Sequence, residues 1–230
     1  MRSSRWNAQG NVYLVTEETP LRADDVVAAV DAADGILEVL ATGDDWVEVR
    51  IWNPDGSQAE MSGNGTRIAA RWLAERSGAE AVTVRVGDRA VRARMLETPL
   101  VEQRIDRVTV SPEEDVDGIR LVAVDVGNPH AVVAGDPADL PIIGPRLEAH
   151  PRFPQRTNVQ VARRLDEHTI EARVWERGVG ETGSSGSSAI AVAAALGGTS
   201  ATVRFPGGPL DVRFEDGVAY LTGPAVRVDE

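Results

Sequence analysis

The chain of 230 residues contains no cysteine. That excludes disulfides, thiolate catalysis and cysteine-ligated zinc. It contains no lysine either, so all 24 of its cationic side chains are arginine. Pyridoxal phosphate chemistry, which needs a lysine for its Schiff base, is excluded with it. Histidine is scarce: His130, His150 and His168 stand far apart, with no metal-ligand spacing among them. They read as surface or core residues, and neither a metal nor a cofactor is expected. No apolar run approaches the roughly 18 residues that a membrane span requires. The opening residues carry Arg2 and Arg5 but lack the apolar core and cleavage site of a secretory signal, so a cytoplasmic protein is expected. A net charge of −12 without any basic stripe argues against a nucleic-acid surface.

What is present is a repeat. "VEVRIWN" (Val47 to Asn53) lies over "IEARVWE" (Ile170 to Glu176) at an offset of 123 residues, which pairs Arg50 with Arg173 and Trp52 with Trp175. Carried forward without a gap, the same offset pairs Ser62 with Ser185 and Gly63 with Gly186. It also lays the helix after the first glycine-rich loop over the helix after the second. Nearby offsets relate "QGNVYLV" at Asn11 to "VGNPHAVV" at Asn128, and "TVRV" at Thr83 to "TVRF" at Thr202. Short alternating or apolar stretches such as "NVYLV", "GILEVLA", "TVRV" and "VRARML" read as half-buried strands. "AIAVAAAL" is apolar on every side and reads as a helix enclosed by its own sheet. Further helices are expected at "RADDVVAAVDA" and "DPADLPIIGPRLEAH". The expected architecture is α+β, with two pseudo-symmetric lobes at residues 1–115 and 116–230. Each lobe is a mostly antiparallel sheet around a central helix, and the boundary falls in the acidic, turn-rich "SPEEDVDG".

Each loop feeds a helix N-terminus, where unsatisfied N–H groups and the positive end of the macrodipole hold a carboxylate or phosphate without a charged side chain. Pseudo-twofold pairing would aim both helix ends at one cleft between the lobes, with Ser62 on one face of a ligand and Ser185 on the other. Polar residues at the strand ends, Asn11, Asn53, Asn128, Asn158 and the Glu176–Arg177 couple, suit recognition of an amino group and carboxylates. Taken by themselves, the residues support a small-anion or amino-acid site. A phosphate-binding module using the same helix ends stays open at this point.

Together "NPDGSQAEMSGNGTR", "GNPHAVV", "RTNVQV" and "VWERGVGETGSSGSSA" resemble the diaminopimelate epimerase family, in the family's order and over nearly the whole chain. The resemblance implies a two-lobed fold and a cofactor-independent inversion at an α-carbon, L,L-diaminopimelate to meso-diaminopimelate in lysine biosynthesis, by a thiolate and a thiol. It also implies that Asn11, Asn53, Asn128, Asn158, Glu176 and Arg177 bind the amino and carboxylate groups. Gly63, Asn64, Gly186 and Ser187 would hold the α-carboxylate at the helix ends. The partner expected is a small-molecule amino acid, and the likeness points to a homodimer. This chain departs from the pattern where it matters most, because Ser62 and Ser185 stand at the positions of the family's two catalytic cysteines. A hydroxyl is far less acidic than a thiol, whose pKa of about 8.5 falls toward neutrality at a helix N-terminus. An impaired or altered epimerase is expected. The other readings are an amino-acid isomerase or dehydratase with Glu176 or a water as base, a non-catalytic amino-acid binder, and serines introduced in place of cysteines.

Overall fold

In the computed structural model, which describes residues 3–30 and 33–228, the chain divides into two units. Arg2 lies outside the described residues. The first unit comprises residues up to Arg104 together with the segment from Thr222, and the second runs from Ile105 to Leu221. "SPEEDVDG" lies inside the second unit, on a strand and the turn that follows it.

The first unit starts with β1 (Ser3–Ala8) and β2 (Asn11–Thr16), then helix α1 (Ala23–Ala29), β3 (Gly35–Thr42), β4 (Trp46–Trp52) and the short β5 (Gln58–Ala59). The long helix α2 (Gly63–Ser77) follows, and then β6 (Ala81–Val86), β7 (Arg89–Met95) and β8 (Leu100–Ile105). In the second unit the order is β9 (Thr109–Val116), β10 (Ile119–Asp125), β11 (Pro129–Ala134), α3 (Leu140–Glu148), β12 (Asn158–Arg164), β13 (Thr169–Glu176) and β14 (Gly180–Thr182). It continues with α4 (Gly186–Val192), extended by a π-helical turn to Gly197, and with β15 (Ser200–Phe205), β16 (Gly208–Glu215) and β17 (Val218–Pro224). The small β18 (Val226–Arg227) returns to the first unit and pairs antiparallel with β1, Trp6 opposite Arg227.

Strand pairing repeats from unit to unit. In the first, β2 and β3 are parallel, β3 and β4 antiparallel, β4 and β6 parallel, and β6 and β7 antiparallel. In the second, the same sequence of pairings joins β11 to β12, β12 to β13, β13 to β15 and β15 to β16. The register agrees with both offsets read from the sequence: Val47 pairs with Val84, while Ile170, 123 positions on from Val47, pairs with Val203, 119 positions on from Val84 as Thr202 is from Thr83. Most remaining pairs are antiparallel. The parallel ones sit where a helix carries the chain across, because parallel strands need a crossover.

Each sheet carries a helix on either face. α2 packs on β1, β2, β4, β6 and β7, and it is buried on all sides from Asn64 to Ala74. Ile68, Ala69, Trp72 and Leu73 share a core with Leu37, Val49, Ile51, Val82 and Val84. The helix stops at Gly78, whose left-handed φ of 76° only glycine adopts without cost and whose N–H closes on Ala74 O. α4 has the same place in the second unit, with Ala189, Ile190 and Val192 against Val174, Val203 and Leu210. The outer faces are covered by α1, through Val26 on Leu14, Ile36 and Trp52, and by α3, through Leu140 and Leu147 on Val159 and Val161. Close approach on the outer face of the first unit depends on Gly35. A Cβ there would meet the Trp52 carbonyl oxygen and stand 2.7 Å from Tyr13 Cε1. Gly35→Ala is therefore expected to cost about 1–3 kcal/mol by overpacking, read as a lower urea midpoint with unchanged slope.

Candidate functional site

The head of α2 is built by Ser62, which leaves β5 in an extended conformation (φ −142°, ψ 120°) and caps the helix by accepting a hydrogen bond from Gly65 N–H at 3.0 Å. A second donor reaches the same oxygen: Tyr13 Oη, from β2, lies 3.1 Å from Ser62 Oγ. Both donors stabilise negative charge on Oγ, and the helix end adds its partial positive charge. Asn64, in the first turn, donates to Asn11 Oδ1 at 3.4 Å and accepts from the fully buried Arg67 through Oδ1. Arg67 Nη1 lies 3.4 Å from Gln103 Oε1, and Gln103 donates to Thr66 Oγ1 at 2.8 Å. The first unit thus brings Asn11, Ser62, Gly63 and Asn64 together. Asn53 closes its own turn instead, donating to Ser57 Oγ at 2.9 Å.

The head of α4 differs. Ser185 takes the same backbone conformation (φ −147°, ψ 129°) but makes no side-chain cap. Its hydroxyl donates instead to Glu176, which also accepts from Thr182 Oγ1 at 2.5 Å. Burial pushes the Glu176 carboxyl above the usual carboxylate range, and the Thr182 and Ser185 hydroxyls only partly oppose the shift. Ser187 Oγ lies 3.5 Å from Ser185 Oγ, and Gly186 is buried in the first turn. The second unit therefore gathers Glu176, Thr182, Ser185, Gly186 and Ser187 around one titratable carboxyl. Because ionising Glu176 in the folded protein costs extra free energy, it withdraws stability as pH rises through its raised pKa. Glu176→Gln is expected to raise the melting temperature at pH 8, with the difference closing below about pH 4, where the unfolded glutamate is also protonated.

Asn158 is buried: it donates to Pro129 O at 3.0 Å and accepts from Arg177 N–H at 2.9 Å, which ties the start of β11 to the turn after Glu176. The Arg177 side chain is exposed and lies 3.3 Å from Gln155 O. Asn128 accepts from the buried His130 at 3.0 Å. Burial drives the His130 pKa down to about 3, so the ring is neutral.

Several supporting residues were not singled out from the sequence: Tyr13, Arg67, Gln160, and two buried carboxylates, Glu38 and Glu148. The carboxylates occupy comparable roles. Glu38 on β3 accepts from Trp52 Nε1 (2.8 Å), Thr19 Oγ1 (2.6 Å), Leu21 N–H (2.9 Å) and Arg50 (3.0 Å). Glu148 at the end of α3 accepts from Trp175 Nε1 (2.8 Å), Gly178 N–H (2.6 Å) and Arg156 (2.8 Å). Each fixes the tryptophan that precedes a candidate site residue, Asn53 in one unit and Glu176 in the other. Only the Trp52–Trp175 pairing gave a signal in the sequence, because the two carboxylates reach those indoles from elements that do not align.

Among the described residues no group of His, Asp and Glu side chains forms a metal site, and no helix is long and apolar enough to cross a membrane.

The diaminopimelate epimerase family model matches residues 24–95 and 122–228. The chain is 35% identical over 269 aligned residues to the diaminopimelate epimerase of Synechococcus elongatus, covering 99% of this chain and 96% of that protein. It is 36% identical over 229 residues to that of Pelotomaculum thermopropionicum, covering 85% and 81%. Solved structures share the fold at low identity. A phenazine biosynthesis protein of the PhzF family from Bacillus anthracis superposes with a TM-score of 0.74 at 13% identity over 99% of this chain and 96% of that one. A hydroxyproline epimerase from Agrobacterium vitis with bound trans-4-hydroxy-L-proline gives 0.63 at 15% identity over 98% and 88%. A mixed α+β fold with glycine-led helices headed by Ser62 and Ser185, matched along nearly its full length by these relatives, belongs to the diaminopimelate epimerase family.

Proposed function

We propose that the chain inverts the α-carbon of diaminopimelate, L,L to meso, without a cofactor, and does so slowly because Ser62 and Ser185 occupy the two acid/base positions. The observation that carries the reading is the pairing of Ser185 with Glu176. A carboxyl of raised pKa, hydrogen-bonded to a hydroxyl at a helix head, is a proton-transfer group operating nearer neutral pH than an ordinary glutamate. The two heads then have different capacities. Glu176, ionised, accepts a proton directly or through Ser185. Ser62 Oγ already takes hydrogen bonds from Gly65 and Tyr13, which leaves its O–H to donate and steadies the oxygen when it does. Gly63, Asn64, Gly186 and Ser187 supply the carboxylate cradle through backbone N–H groups and short side chains. Asn11, Asn53, Asn128, Asn158 and Arg177 complete recognition of the amino and carboxylate groups. Glu176 makes a phosphate an unsuitable occupant, since a carboxylate repels it and attracts an ammonium group.

A second reading, an amino-acid binder without turnover, is favoured by one observation: with no cysteine in the chain, neither acid/base position carries a thiol. One pair of measurements separates the two. L,L-diaminopimelate is expected to raise the melting temperature and to lose its α-proton in deuterated water at a slow, enzyme-dependent rate. Stabilisation without exchange establishes the binder. Stabilisation by inorganic phosphate alone removes both readings.

A further inference from the structure

Two short hydrogen-bond chains run through the interior, one in each unit, and each ends on an asparagine that the sequence repeat places at a comparable position, Asn11 and Asn128. The first starts at Arg67. A guanidinium only donates, so the Asn64 atom against Arg67 is Oδ1 and the Asn64 atom against Asn11 is Nδ2. Asn11 must then accept through Oδ1, and its Nδ2 is left with two N–H groups to offer. Arg67 is buried completely, its Nε has no partner, and among the described residues no carboxylate pairs with it. An uncompensated interior cation is costly, and it polarises every bond of the chain outward toward Asn11.

The second chain starts at Gln160 on β12. Its Nε2 lies 3.0 Å from His130 Nδ1 and 2.9 Å from Ser188 Oγ, which occupies both amide protons, while its Oε1 is buried without a partner. The reverse orientation would bury an amide with two unmet donors, the rarer and costlier case. His130 Nδ1 is therefore an acceptor, Nε2 carries the proton and donates to Asn128 Oδ1 at 3.0 Å, and Asn128 Nδ2 faces onward as a donor.

We infer that Arg67 and Gln160 are positioning residues, each at the root of a directional relay that fixes Asn11 or Asn128 as an N–H donor toward a carboxylate of the ligand. The ligand class rests on the diaminopimelate reading, whereas the direction of the relays does not. The two are tested apart on the full chain. In the unliganded, 15N-labelled protein at pH 7, the His130 ring is expected to show an unprotonated Nδ1 and a protonated Nε2, and to lose that single pattern in Gln160→Met. By calorimetric titration with L,L-diaminopimelate, Arg67→Met and Gln160→Met should each weaken Kd about tenfold, in keeping with a lost hydrogen bond to a charged group. Arg67→Lys, which keeps the charge, should weaken it about threefold or less. The variants should melt within a few degrees of the parent, since Arg67→Met also removes an unpaired buried charge. A proton on Nδ1 or an imidazolium in the parent overturns the second relay. Unchanged Kd in either methionine variant overturns the positioning role of that residue. A parent that binds no diaminopimelate but shows the Nε2–H ring retires the ligand assignment, and with it the positioning role of Arg67, and upholds the direction of the second relay.

Discussion

Replacing both serines with cysteine, Ser62→Cys with Ser185→Cys, is expected to accelerate α-proton exchange of L,L-diaminopimelate by about 10²–10⁴-fold, the range that a well-matched acid–base group contributes. The gain comes from acidity. At the head of α2 the introduced thiolate would inherit the Gly65 N–H and the Tyr13 hydroxyl that now serve Ser62 Oγ. Helix N-termini of this kind bring thiol pKa values down to about 3.5–7.5. At the head of α4, position 185 is uncapped and next to Glu176, which can take the proton of a thiol there as it takes one through Ser185, so the base stays on that side and the position-62 thiol, its thiolate steadied after donation, stays the proton donor. The single variants should gain less than the double variant, and not additively, because the two groups act in one reaction. Loss of the α-proton signal in deuterated water is the measurement. A double variant that binds diaminopimelate as the parent does and exchanges no faster would refute the placement of these serines at the acid/base positions.

The second large effect concerns stability. Glu38→Leu is expected to destabilise the first unit by about 3–5 kcal/mol, the usual cost of removing one member of a buried charged network. Four donors converge on that carboxylate, and three of them, Trp52 Nε1, Thr19 Oγ1 and Leu21 N–H, are neutral groups that would be left without an acceptor. Arg50 is about a third exposed, at 34%, and would recover water, so the ion pair contributes the smaller share. Burial alone would push the Glu38 carboxyl up, but hydrogen bonds from Thr19, Leu21 and Trp52, with the Arg50 charge, hold it below its ordinary value. A depressed carboxylate pKa gives stability above about pH 4.3 that disappears as pH falls through the folded value. The gap between parent and variant should therefore narrow in acid. Native-state amide exchange should locate the loss in residues 3–104, leaving the strands of the second unit as protected as before. Uniform loss across both units would show that they unfold together.

Which features could be read from the chain depends on how each is encoded. The repeat is linear, so β4 and β13, the loops at Ser62 and Ser185, and the two central helices were all visible as one offset. The helices α1 and α3 fall within the two further stretches, "RADDVVAAVDA" and "DPADLPIIGPRLEAH", expected to be helical. Asn11, Asn128 and Glu176 stood out as polar residues at or beside strand ends, whereas Asn64 was named only through the family resemblance. The buried partners were silent for the opposite reason. Arg67 lies inside a helix that otherwise reads as core, Gln160 alternates normally within a strand, and Glu38 resembles any strand glutamate until Trp52, Thr19 and Leu21 are folded around it. Their meaning is a set of contacts between distant segments, and local pattern carries no trace of it. The division of the chain follows contacts between distant segments in the same way, and the acidic "SPEEDVDG" lies on a paired hairpin.

That division affects how the molecule is made. Residues 222–228 complete the first unit: Ala225 N–H bonds to Pro99 O, Val228 N–H bonds to Arg5 O, and β18 lies along β1. A ribosome delivers these residues only after the whole of Ile105–Leu221 has been synthesised. The unit whose larger part is translated earlier is thus the one that must wait, with the flank of β1 uncovered, while the unit translated later can close on its own contacts first.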